Sequence, residues 1–468
     1  MQRKQPKNGI AMTVAACLWL GLFPLLQGGT YATLTHDKWV ISLILTTVTL
    51  LCFGTDLLLR HSGVPRPVNS ARAEGRAEKS PLSAARLPFC IAALLLLWTV
   101  LSCVLSPAGP DTWWIGKNGR YEGLLTELCY VVLFGLFLFS RVRLKPVVLS
   151  AAAGVTVLFV IILLQRGGGN PLGLYPGGRS FALNPEFQGT IGNVDMGTGL
   201  LLMLSGLFLH SLPAFFSAFR SERAGRKKAP SSKGKRLVLL QGALCLIPVL
   251  GLIISLYLII TMDVQFGVIT LGVLFLVTLF RFLPKKFRLP LLLLLLVLAL
   301  LAVWFWPGHS GGVWELHETL HGRARLSFGS NRLAVWQYSL GLAGESARNL
   351  LFGGGSATFM SRFNAFLSQH NYTIPREQDG VRLPDFFDNP HNIYIAWLTD
   401  HGLPAMLLFI ALLGLALFRK REKWLPVLTP WSAPVLCYAV QGFFAFSVCI
   451  VAPLFWVFLG LAMHPSES

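Results

Sequence analysis

Residues of a type that does chemistry are few in this chain, and most of them lie between long apolar runs rather than within them. Arg120, Arg179 and Arg332 fall outside the runs. Arginine presents a planar fork that binds phosphate oxygens two at a time, and it keeps its charge. The three are therefore candidates to hold an anion near a bilayer surface, although each taken singly reads as readily as a surface or snorkelling cation. His391 stands in Asp388-Asn-Pro-His391-Asn392, directly before an apolar run, which fixes it at the boundary between membrane and water. A histidine there can take or give a proton near neutral pH; helix capping or a plain hydrogen bond is the other reading.

Within the runs, ionisable residues are scarce. Such residues are functional candidates by default; Glu127 sits within the fourth run, with Asp195 and Asp263 close to the outer ends of theirs. An ion-coupled transporter carries charged or broken helices at mid-membrane, so the scarcity argues against one, and Glu127 reads as a structural hydrogen-bond partner. His317 and His321 are spaced i, i+4 around Glu318 without a third ligand in sequence, so a zinc site is not expected. Asp385 and Asp388 are too few hard ligands for a divalent cation. No glycine-rich Lys-Ser/Thr loop is present to cradle ATP phosphates. The chemistry expected uses no metal and no cofactor.

The elements that must position these groups follow from composition. Of 468 residues, 54% are apolar and only 13% charged, against about 25% charged in ordinary globular domains, and mean hydropathy is +0.60. Apolar runs of about 18–25 residues suffice to cross a hydrocarbon core of about 30 Å. Twelve are expected as helices, over 9–28, 39–59, 87–106, 122–140, 146–165, 193–217, 237–260, 264–280, 288–306, 393–418, 425–443 and 446–463. The chain thus reads as an all-α polytopic membrane protein. With the N-terminus in the cytosol, 28 of the 40 Lys and Arg residues fall on cytosolic segments, where the positive-inside rule puts them. The net charge of +19 then reports topology and implies no nucleic-acid partner. Both termini are expected in the cytosol of a plasma-membrane protein.

All eight cysteines lie inside expected spans, so no disulfide framework outside the membrane is available. The first run follows Arg3, Lys4 and Lys7 like a signal peptide, but no small-residue cleavage site is evident and it is kept as a helix. Loops 60–86 and 218–236, rich in Arg, Lys, Ser, Ala and Pro, read as mobile. The division expected is an N-terminal bundle of about nine helices over 1–306, an outer loop over 307–392, and about three helices over 393–468. Inside that loop, Ser330 is a candidate N-cap for a helix whose apolar face is Leu333, Trp336 and Leu340. After the breaker Gly353-Gly-Gly355, the residues Phe359, Phe363 and Phe366 or Leu367 repeat the pattern. Two amphipathic helices lying along the outer membrane surface, or packed on the bundle as a lid, are expected.

Several ordered motifs resemble the O-antigen ligase and polymerase superfamily of bacterial membrane glycosyltransferases. They are Asn331-Arg332-Leu-Ala-Val-Trp336, Leu350-Leu-Phe-Gly353-Gly-Gly-Ser, Asn389-Pro-His391-Asn392-Ile-Tyr394, and Asp400-His-Gly402-Leu-Pro404. Tyr438-Ala-Val-Gln441-Gly-Phe-Phe-Ala-Phe-Ser447 and Pro453-Leu-Phe-Trp456 continue the likeness. Upstream, Gly119-Arg120-Tyr-Glu-Gly123-Leu-Leu-Thr and Gly189-Thr-Ile-Gly192-Asn193 look like forms common in Gram-positive members. The resemblance covers roughly 110–463 and implies a twelve-span bundle of GT-C type. It implies inverting transfer of a glycan from an undecaprenyl-diphosphate carrier to an acceptor hydroxyl on the outer face, without metal or nucleotide sugar. The acceptor would be a glycan, lipid or protein. The resemblance places the family's essential arginine at Arg332 and its outer-loop histidine at His391 as catalytic residues. Trp336 and Asn392, in the same motifs, join Arg120 and Arg179 as substrate-binding candidates.

One departure stands out: a Ser-Arg-Gly element common in the family corresponds here to Thr261-Met-Asp263-Val-Gln265-Phe-Gly267, which lacks arginine. Either Arg120 or Arg179 supplies that charge, or donor binding is altered, or this copy is impaired. Two rival readings are a polyprenyl-monophosphate-sugar transferase, which usually has a long first outer loop where this chain has only 29–38, and a non-enzymatic lipid-linked glycan transporter.

Overall fold

The computed structural model describes residues 9–61, 81–116, 119–228, 232–378, 381–384, 387–419, 421–422 and 425–465. Among these the chain is overwhelmingly helical, as it must be where no water is present to satisfy backbone groups. The first half holds α1 (Ile10–Cys17, continued by a π turn Leu18–Leu22), α2 (Leu34–His61), α3 (Pro81–Val104), the short α4 (Pro110–Trp113), α5 (Leu124–Leu138) and α6 (Leu144–Arg166). Next come α7 (Val194–Lys228), α8 (Ser232–Thr261), α9 (Gln265–Phe282) and α10 (Lys285–Trp304). Outside the expected spans lie α11 (Gly311–Leu320), α12 (Arg332–Gly344), α13 (Ala347–Phe352) and α14 (Phe359–Gln369). The chain closes with α15 (Ile393–Phe418), α16 (Ser432–Gln441) and α17 (Ala452–Ala462). Among the described residues, strands are confined to three two-stranded antiparallel hairpins.

Among the described residues, eight helices are long and apolar enough to cross a membrane; Ile10–Leu22, Leu124–Leu138 and Ala452–Ala462 are apolar but shorter. Each of the twelve expected spans contains a helix, yet several differ in length for identifiable reasons. The first ends at Leu22 rather than 28, because Pro24 cannot continue it and the buried Lys38 ammonium takes the carbonyls of Phe23 (2.8 Å) and Pro24 (2.9 Å). A cation at a helix C-terminus is the favourable arrangement. The eleventh shrinks to α16, since Thr429 and Ser432 bond each other's backbone and side chains and set the start. Between α16 and α17, residues 442–451 form a non-helical connection.

The loop 218–236 is largely helix instead, an extension of α7 to Lys228 and of α8 from Ser232, with 229–231 outside the described residues. Ala, Arg, Lys and Glu are strong helix formers, so composition typical of a solvated loop also suits a protruding helix. Of 60–86, residues 62–80 lie outside the described set, and 81–86 belong to α3.

One continuous apolar core runs from Met12 to Met463. The loops sort to two ends of the bundle. At one end Tyr31 N–H meets the Leu174 carbonyl (2.9 Å), Arg166 reaches the Thr261 carbonyl (3.3 Å), and Ser447 Oγ bonds Glu122 (3.1 Å). At the other end Asp56 accepts from the N–H of Met12 (3.0 Å), and Arg143 N–H meets Thr13 Oγ1 (3.0 Å).

The segment 330–369 folds as a unit of its own. Ala334, Val335 and Leu342 of α12 pack with Phe359, Phe363, Phe366 and Leu367 of α14, closed by Ile374 and Phe387. The expected aromatic stripe of α14 is therefore buried. In α12 the buried face is Ala334, Val335, Ser339, Leu342 and Ala343, not Leu333, Trp336 and Leu340. The cap is Asn331, in a left-handed conformation, rather than Ser330. The reason is tertiary: Trp336 is turned towards the start of α15, and small residues let α14 come close.

Backbone contact welds this unit to α15, which breaks at Gly402 (φ 81°, ψ 175°) ahead of Pro404. The carbonyls freed by the break are all taken. Gly354 N–H binds Thr399 O (3.1 Å), Gly355 N–H binds Asp400 O (2.7 Å), Arg362 Nη1 binds Thr399 O (2.7 Å) and Trp98 Nε1 binds His401 O (3.1 Å). Ser102 Oγ adds a bond to Asp400 O at 2.9 Å. Irregular backbone at membrane depth is tolerated only when satisfied in this way. A β-carbon at Gly402 would collide with the Leu351 carbonyl and would sit at a positive φ. Gly402→Ala is therefore expected to destabilise the protein by more than about 2 kcal/mol, read as a loss of thermal stability in detergent.

Candidate functional site

The sequence Asp388-Asn-Pro-His391-Asn392 folds as a single turn feeding α15, and the side chains of Asp388, Asn389 and Asn392 are committed. Asn392 is the N-cap: its Oδ1 accepts from Tyr394 N–H (3.0 Å) and Ile395 N–H (3.1 Å). Asn389 Oδ1 accepts from His391 N–H (2.8 Å), while its amide donates to Asp388 Oδ1 (2.7 Å). Trp336 Nε1 donates to the Pro390 carbonyl (2.9 Å), tying α12 to the same turn. The Ile393 N–H bonds Gly442 O (2.8 Å), fixing the start of α15 against the end of α16. This lacing holds His391 at φ 49°, a strained conformation for a non-glycine residue that persists only when its surroundings over-determine it. Removing the cap with Asn392→Ala should cost about 1 kcal/mol, measured as a lower unfolding temperature.

Arg120 is brought to this turn from the loop before α5. Its Nε and Nη2 both meet Asp388 Oδ2 at 2.5 Å. The guanidinium lies 3.9 Å from the centroid of the Phe446 ring, and His391 meets the same ring edge-on at 5.1 Å. Cation–π contact of this kind contributes about 0.5–2 kcal/mol depending on desolvation. Phe446 belongs to the 442–451 connection, which thus forms part of the site.

Arg332, the first residue of α12, stands on the same connection. Its guanidinium lies 5.1 Å from the Phe266 ring, and Phe266 stacks on Phe444 at 4.0 Å and 6°. Its Nη1 bonds Gly329 O (3.1 Å), while Nε is buried with no hydrogen-bond partner among the described residues. Burial pulls the guanidinium below its ordinary value, with Asp195 and Glu315 opposing; an arginine nonetheless stays charged. His391 feels both arginines. Burial first, then Arg332, then Arg120, bring its imidazole from 6.5 to about 4, against the pull of Asp388. It is therefore neutral near pH 7, and its Nδ1 is a second buried atom with no partner among the described residues. Orphaned polar atoms are rare in folded proteins. Two of them on a cation and a neutral base, beside apolar rings, suit an anionic ligand with a hydroxyl next to it.

The other sequence candidates fall elsewhere. Arg179 is exposed in the loop before β1 (Phe187–Gln188), its N–H bonded to Pro176 O, and it does not join the His391 group. Beside Thr261 stands Arg166 instead, with Nε and Nη2 on Gln188 Oε1 (3.0 and 2.8 Å). His317 and His321 direct Nδ1 at the carbonyls of Val303 and His317, and Glu318 pairs with Arg323. Asp385 lies outside the described residues.

A cleft of about 890 Å³, counted with its open mouth, runs from Arg120 and Asp388 down one face of α15. Ile393, Ala396, Trp397 and Asp400 line it, with Glu122, Glu127 and Tyr130 opposite and Phe455 and Trp456 of α17 beside them. Glu127 accepts from His401 Nε2 (2.9 Å) and Ser356 Oγ (2.6 Å), the hydrogen-bonding role read from its isolation in sequence. Glu122, Asp400, His401 and Phe446 were not singled out as site residues. The i, i+3, i+4, i+7 spacing of Ile393, Ala396, Trp397 and Asp400 marks one helical face and is the signal that could have found it.

Residues 250–410 match the family described as O-antigen ligase. The matched stretch includes Arg332, Trp336, His391, Asn392 and both sides of the Gly402 junction; Arg120 and the 442–451 connection lie outside it. No curated protein matches the chain.

Proposed function

We propose that this chain, which carries the O-antigen ligase domain over residues 250–410, moves a glycan from an undecaprenyl-diphosphate carrier to an acceptor hydroxyl at the outer face of the plasma membrane. The acceptor oxygen attacks the anomeric carbon as the bond from that carbon to the diphosphate breaks, and the configuration inverts. Charge develops on the leaving diphosphate, and cations already fixed in a partly dry site stabilise such charge more than any other device open to a protein. Arg332 and Arg120 are placed for this, with Asp388 orienting Arg120 in the role a Ser-Arg-Gly arginine has in the family. His391, neutral at pH 7, takes the proton from the acceptor hydroxyl. Trp336 and Asn392 serve by fixing the His391 turn, Trp336 from the lid and Asn392 from the helix cap. The apolar lid of α12 and α14 covers the prenyl chain.

The outer-face assignment rests on the basic residues gathered at the opposite end of the bundle. The single observation carrying the reading is the pair of buried, unpartnered atoms, Arg332 Nε and His391 Nδ1, in mutual electrostatic reach. Deleting the gene in the producing strain should abolish long surface glycan and accumulate its diphosphate-linked precursor. Accumulation of a monophosphate-linked sugar, or glycan of unchanged length with slower translocation, would contradict the proposal.

A further inference from the structure

The transfer chemistry uses the mouth of the cleft and leaves its depth unexplained. From Ile393 to Asp400 the cleft follows α15 for about 10 Å at 1.5 Å per residue, and its walls are mixed in a telling way. Trp397 and Trp456 present indole rings, Trp397 lying 5.3 Å from Phe409 and Trp456 lying 6.0 Å from Tyr130, both stacked. Between them stand carboxylates. Glu122 and Glu127 are already satisfied by Tyr130, Ser447, His401 and Ser356. At the bottom, however, Asp400 Oδ1 is buried with no hydrogen-bond partner among the described residues, and so is Nδ1 of the almost fully buried His401.

A groove built for a prenyl chain would carry no carboxylates, since burying one without a partner is expensive. A purely structural network would satisfy its own members. Flat apolar rings combined with a few fixed polar groups are what an orienting small-molecule site needs. A sugar ring offers both complements: C–H faces for the indoles and hydroxyls for the carboxylates.

We infer that the deep cleft between α5, α15 and α17 is the acceptor subsite, holding a neutral saccharide unit of the acceptor glycan. Trp397 stacks on the ring, Asp400 takes a hydroxyl proton in a hydrogen bond, and the reacting hydroxyl is left at the Arg120–His391 end. The assignment rests on the transferase reading but concerns a different ligand from the diphosphate.

The test uses the full-length protein in nanodiscs and two probes. One is the repeat-unit oligosaccharide released by mild acid from the strain's lipid-linked precursor; the other is undecaprenyl diphosphate alone. Wild type should bind the oligosaccharide saturably, with quenching of tryptophan fluorescence. Asp400→Leu, which keeps the branching at Cγ and removes the carboxylate, and Trp397→Ala should each weaken oligosaccharide binding at least tenfold. Both should bind undecaprenyl diphosphate within twofold of wild type, while Arg332→Ala should show the reverse pattern. If Asp400→Leu fails to fold, Trp397→Ala decides. Unchanged oligosaccharide affinity in the folded variants overturns the subsite and leaves the transferase reading intact. A wild type that binds undecaprenyl diphosphate but shows no oligosaccharide binding overturns it as well. Loss of diphosphate binding in wild type itself would count against the transferase reading instead.

Discussion

Replacing Arg332 by alanine is expected to lower glycan transfer by about 10²–10³-fold, the usual cost of losing one preorganised donor aimed at developing charge. The guanidinium is held over Phe266 and anchored through Nη1 to Gly329 O, with Nε left open. Its removal takes away charge at the leaving group while the surrounding rings stay stacked. Arg332→Lys should rescue little, because an ammonium neither lies flat on Phe266 nor forks to two phosphate oxygens. The check is rate of product formation at matched protein level, with a thermal melt to show that the fold survives. A variant within twofold of wild type would remove Arg332 from the chemistry.

His391→Ala should cost about 10²–10⁴-fold, the range for general bases, and should also change the shape of the pH profile. In the free protein the imidazole titrates at about 4, so the acid limb of kcat/KM is expected near that value, with activity rising as the base becomes neutral. A bound diphosphate places negative charge beside Arg332 and Arg120, cancels part of their field and raises the pKa. The limb in kcat should therefore sit at higher pH than the limb in kcat/KM. Stability follows the same group. Its folded pKa lies below its ordinary 6.5, so the unfolded chain binds the extra proton, and stability is lost as pH falls from about 6.5 to about 4. Below that window the contribution is flat. In His391→Gln both this slope and the kinetic limb should vanish.

Much of the scaffold was legible because lipid leaves the backbone few options. Apolar length located a helix in every expected span. Boundaries failed where a local bond outweighed composition, as at Lys38, which ends the first helix early, and at Thr429 and Ser432, which delay the eleventh. The stripe of α14 could be read because four aromatic or leucine residues face one way. That of α12 could not, since four of its five buried residues are alanine, serine or valine, and Trp336 is drawn off by the Pro390 carbonyl.

At the site, Arg332, His391 and Arg120 could be named from residue type and position, whereas Arg179 has the same type and none of the neighbours. What separates Arg120 from Arg179 is Asp388, 268 residues along the chain from Arg120, a relation that no local pattern encodes. The deep cleft stayed hidden for a similar reason. Its carboxylates come from two stretches far apart in sequence, Glu122 and Glu127 around the start of α5 and Asp400 in α15, and Glu127 taken alone looks like a lone structural group. The Gly353–Gly355 breaker was visible, but its partner was not: the glycines exist so that their N–H groups can cap the broken α15.

The most direct measurement is a cryo-electron microscopy map of the protein in nanodiscs with undecaprenyl diphosphate bound. The diphosphate should appear against Arg332 with phosphate oxygens within about 3 Å of its guanidinium, Arg120 on the other side and the His391 ring beside the terminal phosphate, where an acceptor hydroxyl would approach. Diphosphate density seated instead at Arg166 or Arg179, with Arg332 and His391 facing no ligand, would contradict the account at its centre.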